Sequence, residues 1–203
     1  MFNTTEKRER SLGTKLFLKG GRCLSQKCAT IRRPHRPGMH GKRRRSVSEV
    51  GEQLMEKQKI KYSYGIRESQ MQKIFNQAAK HKGVTGDRIL QILEQRLDNV
   101  VFRLGFALSR SIGRQLVGHG HITVNGRKVT IPSFSVRIGD RIAIRELSKD
   151  HPIFKELSVN LKKFEPPVWL SLDQDKMEGK VVGVPQGIDQ LFDVNMVVDY
   201  YSK

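Results

Sequence analysis

Apolar positions follow helical spacing through the middle of the chain and then change to alternation. Ser46-Val47-Ser48-Glu49 fits a capping box in which the Ser46 hydroxyl accepts from first-turn amides while Glu49 reaches back. The spacing predicts a helix from about Val47 to about Lys61, broken at Tyr62-Ser63-Tyr64-Gly65. Met71, Ile74, Phe75, Ala78 and Ala79 form one apolar helical face, and Gly83 supplies the stop. Ile89, Ile92, Leu93 and Leu97 repeat the spacing in a third helix. These segments predict a small bundle whose polar faces carry Lys57, Lys61, Lys73 and Lys80, all expected to be solvated.

From Asp98 the elements shorten. Asp98 can cap a short helix with Val101, Leu104 and Leu108 inward, and Ser109 can cap another carrying Ile112, Leu116 and Val117, ended by Gly118 or Gly120. Ile122 to Val129 reads as two alternating strands around Asn125-Gly126, the strongest short-range signal for a type I′ hairpin. Pro132 ends that ladder, Ile138-Gly139-Asp140 turns, and Arg141 to Arg145 alternates again. Two short helices feeding a small antiparallel sheet make one module of roughly 60 residues, a workable domain size. His119-Gly120-His121 fits a helix cap followed by a strand start better than a metal motif.

Charge changes the reading of the first residues. The 203-residue chain holds 38 Lys+Arg against 20 Asp+Glu, a formal charge of +18 and a pI near 10.3, which calls for a polyanionic partner. Residues 1–45 carry +12, 46–92 carry +3, 93–158 carry +5 and 159–203 carry −2. The opening segment, with Arg32, Arg33 and Arg36 between prolines and then Lys42, Arg43, Arg44 and Arg45, is too poor in apolar surface to fold alone. It predicts a basic arm that orders on phosphates; a solvated tail or a nuclear address are the alternatives. Arg103, Arg110 and Arg114, with Arg127 and Lys128 of the hairpin, could converge on one surface of the module, against the alternative that they point in different directions. No apolar run reaches the length of a membrane span, no apolar region follows the charged N-terminus as in a secretory signal, and two cysteines make no disulfide framework.

Arg96-Leu97-Asp98-Asn99-Val100-Val101-Phe102-Arg103-Leu104-Gly105-Phe106-Ala107 resembles the hallmark stretch of the family of the fourth protein of the small ribosomal subunit, in its bacterial form. Ser109-Arg110, Arg114 to Val117 and Gly120 to Gly126 are similar to the RNA-binding module named after it. Pro37-Gly38-Met39-His40-Gly41, Glu56 to Lys59, Tyr64-Gly65-Ile66, Gly83 to Gly86, Trp169 to Leu172 and Tyr200-Tyr201-Ser202-Lys203 occur in the family's order, so the resemblance runs nearly end to end. It implies an α+β protein: a basic extended arm over 1–45, a helical domain over 46–92 completed by 189–203, and an inserted RNA-binding module over 93–188 with its core at 96–157. The segments around Trp169 to Leu172 and Lys180 to Val184 would extend the module's sheet. Val194, Val197, Val198 and Tyr201 suit a last helix, while Val194, Met196, Val198 and Tyr200 equally suit a strand. The implied function is structural: primary binding of a small-subunit ribosomal RNA junction in the 5′ domain, early in assembly. Implied partners are the neighbouring fifth protein and messenger RNA where it enters, with an influence on decoding accuracy. The expected location is a cytoplasmic small subunit, an organellar ribosome being the alternative, with neither membrane nor small-molecule substrate.

Zinc-bearing members of the family hold the metal with four cysteines in the arm. Cys23 and Cys28 match the second pair, but the family spacing places Glu6 and Glu9 at the first. Two thiolates with two carboxylates, or with His35 and His40, meet a count of four but imitate four thiolates poorly, so free thiols and no cofactor are expected.

An enzyme of RNA is the first rival, because pseudouridine synthases and tyrosyl-tRNA synthetases carry similar modules. Arg96-Leu97-Asp98 follows Gln95 rather than the synthases' glycine, and no phosphate loop, zinc-protease or nucleophile-elbow motif occurs. A general nucleic-acid chaperone is the second rival, permitted by composition but not by the order of motifs.

Overall fold

The computed structural model describes residues 3–43, 46–149, 151, 154, 157, 161, 164–186 and 192–202. The chain divides into two compact units, Met1–Ile89 with Asp189–Lys203, and Leu90–Ile188. The class is mixed α+β, with the strands confined to the second unit among the described residues.

The first unit contains α1 (Asn3–Leu12), α2 (Ala29–Arg32), α3 (Glu49–Ser63) and α4 (Glu68–Ala79), and α5 (Thr85–Glu94) begins in it. Helix α3 starts two residues later than the predicted capping box. Ser48, not Ser46, is the cap; its Oγ accepts from Gly51 N at 3.3 Å, and Glu49 and Glu52 place acids in the first turn. Met71, Ile74 and Ala78 of α4 are buried as expected, whereas Ala79 is exposed at the helix end. Ile89, Leu90 and Leu93 are buried in α5, Ile92 is half-buried, and Leu97 belongs instead to the next helix. The C-terminal alternatives resolve as a helix, Val194–Ser202, which packs on α3 and α4 with Val194 and Val197 buried. Tyr201 stacks on Phe75 with ring centroids 5.0 Å apart.

Lys57 is not solvated but 5% exposed. Its ammonium donates to Glu68 Oε1 at 2.8 Å and lies 4.2 Å from the Tyr200 ring centroid, so a carboxylate and a π face replace its water. Glu68 Oε1 also accepts from Tyr201 Oη at 2.7 Å, and Oε2 from Lys61 at 3.0 Å. Burial raises the Glu68 pKa, but the hydrogen bonds from Lys57, Tyr201 and Lys61 outweigh it and pull the carboxyl down to about 2. Burial and the bond to Glu68 push the Tyr201 phenol up.

The opening segment departs from the extended arm its composition predicts. It contains α1, a 3₁₀ turn at Gly20–Leu24 and α2, and it buries Leu16, Cys23 and Cys28. Polar groups compensate for the missing apolar surface. Glu9, fully buried, accepts from Leu16 N and Leu18 N at 3.1 Å each, and Arg10 Nε donates to Arg33 O and His35 O at 2.9 and 3.1 Å. Pro37 to Gly41 turns back so tightly that any side chain at Gly41 would overlap the Arg36 carbonyl.

The second unit packs α6 (Leu97–Arg103) and α7 (Arg110–Gly118) on a five-stranded antiparallel sheet. Its strands are β1 (Ile122–Val124), β2 (Arg127–Lys128), β3 (Arg141–Ile144), β4 (Leu170–Asp173) and β5 (Glu178–Val181), in the order β2-β1-β3-β5-β4. Ser109 caps α7 as predicted, Oγ accepting from Ile112 N at 3.4 Å. Asp98 is not the cap of α6, which begins after Arg96, and Leu108, predicted inward, is 64% exposed. Asn125 and Gly126 both take positive φ, 51° and 79°, as a type I′ turn demands. The two late segments extend the sheet, β5 pairing with β3 and β4 with β5. Phe154, Leu157 and Leu161 are helical and complete the core.

Candidate nucleic-acid interface

In the first unit, α1, the 3₁₀ turn and α2 surround a concavity of about 520 Å³. Among the described residues it is lined by six cations, Lys7, Arg10, Arg22, Lys27, Arg32 and Arg33, against one carboxylate, Glu6. Glu6 is already engaged, its Oε1 lying 3.1 Å from Arg22 Nε and 3.3 Å from Lys19 Nζ. Like charges held this close repel one another unless anions sit among them, so the concavity is suited to phosphate. Of the predicted residues, Arg32 and Arg33 line it. Lys42 and Arg43 are exposed nearby in sequence, while half-buried Arg36 points Nη2 at Met55 Sδ, 3.9 Å away. Arg44 and Arg45 lie outside the described residues. Lys7, Arg10, Arg22 and Lys27 are dispersed along the sequence, and only the +12 count of residues 1–45 carries their signal.

The module arginines are differently employed. Glu94, fully buried, receives Arg103 as a fork, Nε to Oε2 and Nη2 to Oε1, both at 2.9 Å. Asn99 Nδ2 donates to Glu94 Oε2 at 2.8 Å, Arg110 Nε donates to Asn99 Oδ1 at 2.7 Å, and the Arg110 guanidinium lies over the Phe102 ring. Arg114 reaches Asp98 Oδ2 at 3.9 Å, and Asp98 is itself forked by Arg96 at 3.1 and 2.6 Å. The structure thus joins Arg103, Arg110 and Arg114 through internal acids. Arg127 and Lys128, exposed on β2, have no side-chain hydrogen bond or ion pair among the described residues and do not join that network. The sequence shows no acids between Arg103 and Arg137; the compensating ones, Glu94 and Asp98, precede Arg103.

Zinc does not fit the cysteine pair. Cys23 and Cys28 are buried free thiols; Lys19 N donates to Cys23 Sγ, and Cys28 Sγ lies 2.8 Å from Thr30 Oγ1. Burial pushes the Cys23 thiol pKa up, whereas at Cys28 the effect of burial is outweighed by hydrogen bonds from Thr30 and the Ile31 amide, which draw it down. Glu6 turns toward Arg22 and Lys19 and His40 is exposed; Glu9 gives Oε1 to two backbone amides, and its Oε2, buried with no hydrogen-bond partner among the described residues, would add at most one ligand to the two thiols, short of a closed set of four. Among the described residues no group of three or more His, Cys, Asp or Glu could hold a metal ion.

Residues 3–94 match the model of the ribosomal protein S4/S9 N-terminal domain, and residues 95–142 match that of the S4 domain. The chain belongs to the ribosomal S4 family. It is 49% identical to the small ribosomal subunit protein uS4 of Heliobacterium modesticaldum over 94% of this chain and 93% of that one. It is 51% identical, at the same coverage of both chains, to protein uS4A of Alkaliphilus metalliredigens. The uS4 protein of Acetivibrio thermocellus is 49% identical at that coverage. The S4 family is one of ribosomal structural proteins, not of enzymes. Its N-terminal domain model covers the basic concavity, and its S4 domain model covers α6, α7, β1 and β2 and reaches the start of β3. No helix among the described residues is long and apolar enough to cross a membrane.

Proposed function

We propose that this protein binds small-subunit ribosomal RNA, gripping a multi-helix junction of the 5′ domain and so nucleating assembly of the subunit body. The observation that carries the reading is the concavity of six cations with its single carboxylate already neutralised. Phosphates are the natural filling, and backbone contacts of this kind set position rather than read base sequence. Arg32 and Arg33 are its central contacts, with Lys7, Arg22 and Lys27 added to them; Lys42, Arg43, Arg44 and Arg45 continue the basic track along the chain. Arg103, Arg110 and Arg114 act as a pre-organised guanidinium surface, Arg127 and Lys128 as more loosely held cations. In this reading residues 1–45 are the RNA-gripping segment, 46–92 with 189–203 the helical domain and 93–188 the module, in a cytoplasmic small subunit. The less basic remainder meets neighbouring proteins, the fifth of the subunit above all. Together they influence decoding accuracy where messenger RNA enters.

The test is a mobility shift of the full chain with 5′-domain RNA against a random duplex of equal length, repeated at rising salt. The expected result is much tighter binding of the folded RNA at every salt concentration. Equal affinity for both would replace the ribosomal reading with that of a charge-driven chaperone. A steep salt dependence is common to both and separates nothing.

A further inference from the structure

The sheet of the second unit has one covered face and one open face. Ile122, Val124, Ile142, Ile144 and Val181 are buried in the core with α6 and α7, so Thr123, Arg141, Ala143, Arg145 and Lys180 project to the other side, with Glu178 and Asp173 toward the β4 edge. The register sets Lys128 beside Thr123, Thr123 beside Ala143, and Arg141 beside Lys180. A shallow depression of about 750 Å³ lies over this face, with Thr123 and Ala143 as its floor and Lys128, Arg141 and Arg145 among its rim. Among the described residues the side chains of Lys128, Arg145 and Lys180 make no hydrogen bond or ion pair, and Arg141 has one loose contact, 3.9 Å to Glu178. The other rim acid, Glu146, is taken by Lys149 at 2.7 Å.

Three histidines border this cationic stripe past the strand ends. Arg145 N donates to His121 O at 2.8 Å, and His121 sits between His119 and His151, with ring centroids 6.1 and 5.8 Å away. Lys128 reaches the same turn: a side-chain carbon on Gly120 would lie 3.0 Å from its Nζ. Burial, followed by the nearness of His151, His119, Arg145 and Lys128, lowers the His121 pKa, as expected where the field is already positive. From Arg141 to Arg145 the stripe is about 13 Å long, which suits a chain of anions rather than one. No aromatic ring stands on the floor among the described residues, so bases find no stacking platform and the sugar-phosphate backbone is the complementary partner.

We propose that this open sheet face is a second phosphate-backbone site, which holds a segment of ribosomal RNA other than the one in the N-terminal concavity. It rests on the ribosomal reading above. The test measures binding of 5′-domain RNA by the full chain and by a variant with Lys128→Ala, Arg145→Ala and Lys180→Ala together. The expected result is at least a tenfold loss of affinity and a salt slope shallower by about two to three, with an unchanged thermal midpoint. Lysine acetylation of the wild-type chain gives a readout that does not depend on how the variant folds: Lys128 and Lys180 should be protected by bound RNA. If the wild type binds while the triple variant keeps its affinity and salt slope and both lysines stay reactive, the second site is overturned and the concavity reading stands. If the wild type shows no preference for the 5′-domain RNA, both fall.

Discussion

The N-terminal concavity and the α6–α7 layer carry the same kind of side chain in opposite employment. Around the concavity, among the described residues, six cations face one carboxylate, and only Arg22 and Arg10 are tied inward, to Glu6 and to backbone carbonyls; around α6 and α7 the arginines bind Glu94 and Asp98 from inside the module. Charge counted along a sequence is therefore not charge presented to a partner. Where acids stand at the right place in the fold, arginines become internal struts with a residual outward face; where they do not, the positive field is left for a ligand to neutralise.

The sharpest way to break this contrast is to remove the acid. Glu94→Ala leaves Arg103 and the Asn99 amide without their common acceptor in the core, and the expected cost is about 3 kcal/mol in urea unfolding. The low end of the range for broken buried pairs applies because the Arg103 side chain is 26% exposed and can turn to water. A cost under about 1 kcal/mol would mean that the arginines do not depend on their acid. Affinity for RNA through the concavity should be unaffected.

A second internal pair tests the same rule in the first unit. Glu68→Gln deprives buried Lys57 of its carboxylate, and about 1–2 kcal/mol of stability should be lost, a value kept small because Glu68 itself is partly exposed. The folded-state pKa of Glu68 is depressed from 4.5 to about 2, so the unfolded chain binds the extra proton between those values. The stabilisation is complete above pH 4.5 and lost as pH falls toward 2. Melting temperatures taken through that window should fall more steeply for the wild type than for Glu68→Gln; parallel curves would show that the carboxylate does not carry the acid sensitivity.

Much of this fold is legible where local chemistry and tertiary packing agree. Asn125-Gly126 specifies its turn, Ser109 its cap, and the apolar spacing of α4 its buried face, because each signal lies within a few residues. The reading fails where a distant partner decides. Lys57 looks like a solvated lysine until Glu68, eleven residues on, and Tyr200 from the far end of the chain close over it. The first 43 residues look unable to fold because their interior is organised by Glu9 and Arg10, polar side chains that bind backbone atoms no periodicity records. The Arg103–Glu94 fork is hidden likewise, since the arginine's partner lies nine residues back in another helix. At the candidate interface, the runs at Arg32-Arg33 and Lys42 to Arg45 stand out, while Lys7, Arg22 and Lys27 become neighbours only through the fold.

The two kinds of cation should separate cleanly under substitution. Arg32→Ala with Arg33→Ala is expected to weaken binding of 5′-domain RNA about tenfold, or 1.4 kcal/mol, and to change unfolding free energy by less than about 0.5 kcal/mol. The Arg33 carbonyl that accepts from Arg10 is backbone and survives the change. Arg103→Ala should do the reverse, losing stability with a smaller effect on binding. Filter binding and urea unfolding on the same preparations read both, and matching losses for the two variants would erase the distinction.

Arg114 stands between the classes and gives the smallest and most discriminating effect. Its side chain is 45% exposed, and its contact to Asp98 spans 3.9 Å, at the limit of an ion pair. Asp98 does not depend on it, because Arg96 already satisfies both carboxylate oxygens with a fork. Exposed pairs of this geometry contribute little, so Arg114→Ala should cost less than about 0.5 kcal/mol in unfolding. If proximity to an internal acid alone made an arginine a strut, the loss would instead approach that of Arg103→Ala. The fork on Asp98 argues against that outcome, since the acid keeps both its hydrogen bonds from Arg96 when Arg114 is removed. A two- to threefold fall in RNA affinity with stability intact would place Arg114 with the presented cations, and unchanged affinity would make the α7 face a solvated one.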